Sequence, residues 1–277
     1  MIVQLQNLKK MPMLQELLPK KQESKKSFSD HCLRIVGMAV VGAGEANRYL
    51  VNTLNEFRRL CDDVVIATNN ADDKTKALIK KYDFWQYEDN REWGIYQPDI
   101  KTDLLKRVGG LKPDWIIPLD ADEVFAPEFT RKEAEKLMQM EEIAWYFMIV
   151  NLYNDEEHFA HDIGIQRFWN IRFFKYLPEY GLQYQHKSLH CGLAPPIAYK
   201  YGWHAPFYIK HYGLMKSEDR EMKAQRYDQY DPNAKFKGRE YYNDLRRELK
   251  PHKFEPQKLL EQLRNSVDCK PRQPIKL

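Results

Sequence analysis

A chain of 277 residues, 43% hydrophobic and 13% aromatic, can bury a full core, which excludes a disordered polypeptide. Its 44 basic and 40 acidic residues leave a net charge of +4, which permits an anionic ligand without demanding one. No apolar run approaches the roughly 18 residues that span a bilayer, the first 30 residues lack a signal-peptide pattern, and the four scattered cysteines (Cys32, Cys61, Cys191, Cys269) form no C-x-x-C pair, so a reducing, cytoplasmic setting is expected.

Residues 1–30 are polar and lysine-rich and read as an N-terminal extension. A body at 31–232 follows, in two parts, 31–125 and 126–232. "LRIVGMAVV" is a buried strand that ends in the turn-prone "GAGEAN". Leu50, Leu54 and Phe57 then recur on one helical face. "DVVIATNN" is a second buried strand, and Asp72 or Asp73 caps the helix "KTKALIKKY". "FWQYE" is a third strand, "DIKTDLLKRVGG" a helix stopped by Gly109 and Gly110, and "DWIIPLD" a fourth strand. This alternation predicts an α/β fold, Rossmann-like, with a mostly parallel central sheet flanked by helices. Ligands of such sheets sit beyond the carboxyl ends of the strands, where "GAGEAN", "NNADD" and "DADE" all fall.

The second part begins with Thr130 and Glu133 in capping-box spacing. "AWYFMIVNLY" and "WNIRFFKY" are strands joined by a polar loop, "NDEEHFAHDIGIQRF", and a helix starts at Ser217. Residues 233–277 form a charged tail with helices near 238–249 and 256–266. Basic residues gather at both ends, as solvated tails or as a contact for nucleic acid or an anionic membrane surface.

Chemistry concentrates in Asp120-Ala121-Asp122. A strand tip alternates its side chains, so both carboxylates point one way. They repel unless a cation neutralises them. Mg²⁺ and Mn²⁺ take carboxylate oxygen and leave positions for phosphate. Glu123 is expected to orient this loop rather than react. His158-x-x-His161 beside Asp162 lacks the helical context of a zinc site and reads as polar loop.

From Leu33 to Asp231 the chain resembles a family 2-type glycosyltransferase of the GT-A fold. The matching stretches are "VVGAGEAN", "VVIATNNADDKT" and "DWIIPLDADEVF", then "IRFFKY", "HKSLH" and "IKHYGLMKSEDREMKAQRY". The resemblance implies that 31–125 is the nucleotide-sugar half and 126–232 the acceptor half, with a helical C-terminal extension. It implies transfer of a hexose, with inversion, from a UDP- or GDP-linked donor to a glycan, lipid or protein, with Mn²⁺ or Mg²⁺ as cofactor. Asp72 or Asp73 would contact the base, Asp120 the ribose or the metal, and Asp122 the metal. Asn47 lies in the loop where the family has Asn-Glu. His211, or alternatively His190, would complete the metal shell. An inverting enzyme also needs a carboxylate to take the acceptor's proton. Where some relatives have His-Glu, this chain has His186-Lys187, so Asp162, Glu157 and Glu179 are the candidates. Two other readings are a nucleotidyltransferase on a similar sheet and a non-catalytic GT-A-like module binding an anionic polymer. The basic ends also suit a protein peripheral to a membrane.

Overall fold

The computed structural model describes residues 33–160, 167–184, 191–235 and 238–266. The expected extension at 1–30 lies outside them. The first half runs β1 (Ile35–Val41), α1 (Leu50–Leu60), β2 (Asp63–Asn69), α2 (Asp73–Lys80), β3 (Trp85–Asp89), α3 (Trp93–Gly109) and β4 (Trp115–Pro118). β1 pairs in parallel with β2 and β4, and β2 with β3. Alternate residues of β1 enter opposite cores. Ile35 joins Leu54 and Phe57 of α1 on one side. Val36 and Met38 join Ile100, Leu104 and Val108 of α3 on the other. Burial on both faces is why β1 and β2 read as continuous apolar runs.

α3 begins at Trp93, earlier than the helix expected from Asp99, and breaks at Tyr96 (φ −99°, ψ 16°) just before Pro98. Proline lacks an N–H and is favoured in a helix's first turn, so the sequence reads as a start there and hides the turn before it.

The second half contains β5 (Glu123–Phe125), α4 (Arg131–Met138), β6 (Ala144–Tyr153), β7 (Asp155–Ala160), β8 (Phe168–Lys175), α5 (Pro196–Tyr201), β9 (Trp203–His211), α6 (Ser217–Tyr230), α7 (Arg239–Asp244), β10 (Pro251–Lys253) and α8 (Pro256–Ser266). β8 lies antiparallel between β4 and β6, while β9 pairs in parallel with β6 and antiparallel with β5. The strand order is β10-β7-β6-β8-β4-β1-β2-β3, with β9 and β5 branching from β6. A wholly parallel half thus continues into a mixed one, with helices on both faces, the α/β arrangement expected from the sequence.

Part of the expected loop "NDEEHFAHDIGIQRF" is strand β7. Asn154, at φ 68°, turns the chain back, and β7 exposes half of its side chains and buries only Ala160, so its composition is polar. Of the tail's two expected helices, the second forms over Pro256–Ser266 and the first only over Arg239–Asp244, and β10 joins the sheet beside β7. Phe254, Leu259, Leu260 and Leu263 enter the main core. No described helix is long and apolar enough to cross a membrane. Cys61 and Cys191 are free thiols among the described residues.

Candidate functional site

The carboxyl ends of β1, β2, β4, β6 and β9 open onto one cavity of about 590 Å³, with α6 lining it as well. β9 arranges its chemical centre. Its last residue, His211, pairs with Glu123 of β5 on one side and with Asn151 of β6 on the other. The Tyr212 N–H donates to the Asp122 carbonyl at 2.8 Å. The acidic tip after β4 is thereby stitched to a histidine 89 residues further along the chain, Asp122 facing His211.

Glu123 points inward. Arg172 of β8 donates to it through Nε and Nη2, both at 2.6 Å, and both side chains are buried. The same carboxylate accepts from the Asp120 backbone N–H at 3.1 Å, and the Thr53 hydroxyl holds the Glu123 carbonyl at 3.1 Å. Glu123 therefore shapes the loop, as its sequence position suggested. Asp120 keeps 47% of its side-chain surface open, toward the cavity rather than bulk water, with its Oδ2 3.6 Å from Arg172. Lost solvation, then the Glu123 charge, push its carboxyl up, against Arg172 and Lys101.

Asp122 Oδ2 lies 3.5 Å from His211 Nε2. On its far side the His211 Nδ1–H donates to Asn151 Oδ1 at 2.6 Å, so Nε2 is the ring nitrogen turned to Asp122. Burial would raise the Asp122 carboxyl, but the His211 ring outweighs it, with Lys223 and Arg48 adding, and holds it below the usual range. Gly213 keeps the space bare: a Cβ there would stand 2.1 Å from Asp122 Oδ2 and 2.9 Å from His211 Nε2. Glu45 adds a buried carboxylate oxygen with no partner, in the same cavity and within the repulsive field of Asp122. One carboxylate, one imidazole nitrogen and a bare cradle fit a Mn²⁺ or Mg²⁺ ion that would take its other ligands from water and phosphate. Among the described residues no three histidines, cysteines or carboxylates gather as a complete metal cage.

The remaining walls are polar. Burial pushes the Glu45 carboxyl up, against its 2.8 Å ion pair with Arg48. Arg48 also donates to Asp219 at 2.9 Å, and the Tyr49 hydroxyl to the same carboxylate at 2.7 Å, which pins α6 to the turn after β1. Lys101 of α3 is buried and donates to the carbonyls of Cys191 (2.7 Å) and Gly192 (3.2 Å), while burial pulls its ammonium down.

The structure brings Asp120, Asp122 and His211 together at the cavity, and other expected residues elsewhere. Asn47 is exposed beside Lys74, and the turn after β1 presents Glu45 to the cavity instead. Asp73 is exposed at the start of α2. Asp72 caps that helix and accepts from Gly44 N–H (2.5 Å), Thr75 N–H (3.0 Å) and the Thr75 hydroxyl (2.8 Å). Its oxygens are engaged, and neither aspartate borders the cavity. Glu157 is exposed on β7. Glu179 is exposed beyond the end of β8, which runs antiparallel to β4 and so ends near the start of β4, at the opposite sheet edge from Asp120. Asp162, His161, His186 and His190 lie outside the described residues. His158 pairs with Asp155 at 2.8 Å. Of the aromatic side chains, Trp93, Phe168, Tyr227, Tyr230 and Tyr241 border the cavity, while Tyr153 is fully buried and Trp169 stacks on His204 at 4.2 Å. Of the lining residues that sequence reasoning passed over, Arg172 carried a signal, a charge inside the apolar run "WNIRFFKY".

The hydrogen bonds of Asp72, first that from Gly44, lower its carboxyl from 3.8 to about 2. A depressed folded value means its contribution to stability is complete above pH 3.8 and fades as pH falls toward 2. The gap in melting midpoint between wild type and Asp72→Asn is therefore expected to shrink across that window. Midpoints measured at half-unit steps check it; a gap constant from pH 5 to pH 2 would count against the role of the charge.

No protein-family model matches the chain, and no curated protein matches it. Among solved structures, S. aureus TarS is similar over 72% of this chain at 10% identity with a TM-score of 0.46; this chain spans 40% of its length. TarS 1–349 in complex with UDP-GlcNAc is similar over 77% of this chain and 70% of its own, at 11% identity and a TM-score of 0.46. The same fragment in complex with UDP gives 77% and 70%, 10% identity and 0.45.

Proposed function

We propose that the chain transfers a sugar from a nucleotide-sugar donor to a hydroxyl acceptor, as a family 2-type glycosyltransferase with Mn²⁺ or Mg²⁺ held by Asp122 and His211. The observation that carries this reading is the Asp122–His211 pair at 3.5 Å, with its Gly213 cradle, at the carboxyl edge of a parallel sheet. The "DADE" stretch and its resemblance to that family support it from the sequence side. A bound cation supplies Lewis-acid stabilisation of the departing diphosphate. The chain's own residues do the rest. Asn151 fixes the His211 ring, and Glu123 with Arg172 sets the height of the Asp120–Asp122 loop. Asp120, open to the cavity, accepts from the ribose hydroxyls. The donor is read as a UDP- or GDP-linked hexose and the acceptor as a glycan, lipid or protein.

Transfer with inversion needs a carboxylate to take the acceptor's proton. Of the three candidates, Glu157 and Glu179 stand away from the cavity, so Asp162 is the one retained. Nucleotidyl transfer would want a basic, glycine-rich loop after the first strand. The turn after β1 presents the carboxylate of Glu45 there, and its Arg48 is engaged by Glu45 and Asp219.

Calorimetric titration of UDP and GDP, each with and without Mn²⁺, tests the reading. One of the two should bind at least about tenfold more tightly with the metal. No binding of either, under both conditions, would sink it.

A further inference from the structure

α6 turns one face to the cavity. Asp219, Met222, Lys223, Arg226, Tyr227 and Tyr230 all border it, spaced three and four residues apart. The start of that face is fixed by Arg48 and Tyr49 on Asp219, and by Arg220, which donates to the carbonyls of Leu214 and Met215 at 2.9 Å each. The cations a turn further on are thus carried on an anchored element.

Among the described residues five cations line the cavity, and three are engaged. Arg48 pairs with Glu45 and Asp219, Arg172 with Glu123, and Lys101 with two carbonyls. Lys223 and Arg226 form no ion pair or hydrogen bond with any described residue. They act on the site only through space, Lys223 on Asp122 and Arg226 on Glu45. Two adjacent, unpaired cations on a fixed face beside a cation cradle are a site for an anion.

We infer that Lys223 and Arg226 clamp the diphosphate of the donor. The inference rests on the nucleotide-sugar reading for the anion's identity. Position decides between the donor's diphosphate and an anionic acceptor. Lys223 and Arg226 line the same cavity as Asp122 and Glu45 and act on those two carboxylates, Lys223 on the one read as holding the cation, so an anion that shares this cation meets the same two side chains. During transfer, the bond between the sugar's anomeric carbon and the β-phosphate oxygen breaks, its electron pair staying on that oxygen. The acceptor oxygen bonds to the carbon and its proton leaves to a base. Lys223 and Arg226 stand where the negative charge gathers, so they favour departure as well as binding.

Inorganic pyrophosphate, UDP, GDP and uridine are titrated with Mn²⁺ into wild type and into Lys223→Gln/Arg226→Gln. Both positions keep solvent contact, so the double variant should melt like wild type. Pyrophosphate and nucleotide affinity should fall at least about tenfold, with uridine unchanged. Loss of pyrophosphate binding, in a chain whose wild type binds neither nucleotide, keeps the anion clamp and removes the nucleotide-sugar reading. Equal pyrophosphate binding by the two proteins, or none by wild type, overturns the clamp. Unchanged nucleotide affinity with reduced transfer to an anionic acceptor also overturns it, because the pair would then serve the acceptor.

Discussion

Replacing Arg172 by methionine is expected to lower the melting midpoint by roughly 6–20 °C. A buried carboxylate that loses its only close cation costs about 3–5 kcal/mol, and each kcal/mol is worth about 2–4 °C in a domain of this size. The pair qualifies on geometry: two contacts of 2.6 Å, with side chains 3% and 2% exposed. The cost comes from the charge left behind more than from the attraction lost. Removing both partners, as Arg172→Met with Glu123→Leu, should therefore recover much of the loss. Thermal melts of the single and double variants by circular dichroism separate the cases. If the double variant melts no higher than the single one, the uncompensated charge is not the cause. The same substitution should weaken Mn²⁺-dependent nucleotide binding, because Glu123 also holds the Asp120 N–H.

How much of this was legible in the sequence depends on how local the cause is. β1, β2 and β4 are apolar runs ended by acids and turns, and their burial on both faces makes them readable without a structure. The cap at Asp72 was legible for the same reason. Its further consequence was not: a carboxylate that caps a helix and also takes the Gly44 N–H has little left for a nucleobase. In the turn after β1, Gly44 at φ 79° starts a short 3-10 helix that turns Glu45 inward and Asn47 outward, a choice no residue pattern announces. The partners of "DADE" are set by pairing between remote strands. Glu123 meets Arg172 at a separation of 49 residues. β5, the strand that brings His211 to Asp122, is three residues long, too short to show a period. Nothing in the sequence around Lys223 and Arg226 marks them until the helix's place beside the cavity is known.

Gly213→Ala should leave the fold nearly intact and remove most of the Mn²⁺-dependent gain in nucleotide affinity, a loss of about tenfold. Gly213 does not adopt a positive φ, so alanine costs the backbone little. The added Cβ would sit 2.1 Å from Asp122 Oδ2, which is impossible contact, and 2.9 Å from His211 Nε2. The intruded atom is the end of a flexible side chain, so Asp122 can swing aside and the midpoint should move little. A displaced ligand cannot share one cation with His211, and misplacement by about 1 Å is enough for a loss of that size. Asp122→Ala deletes a ligand outright, whereas Gly213→Ala keeps both ligands and spoils only their spacing. Equal losses in the two variants, read from the Mn²⁺ paramagnetic-resonance signal and from nucleotide titration, would place the cation between Asp122 and His211. Wild-type Mn²⁺ binding in Gly213→Ala would show that the 3.5 Å pair is an ordinary polar contact and that any cation sits elsewhere along the acidic tip.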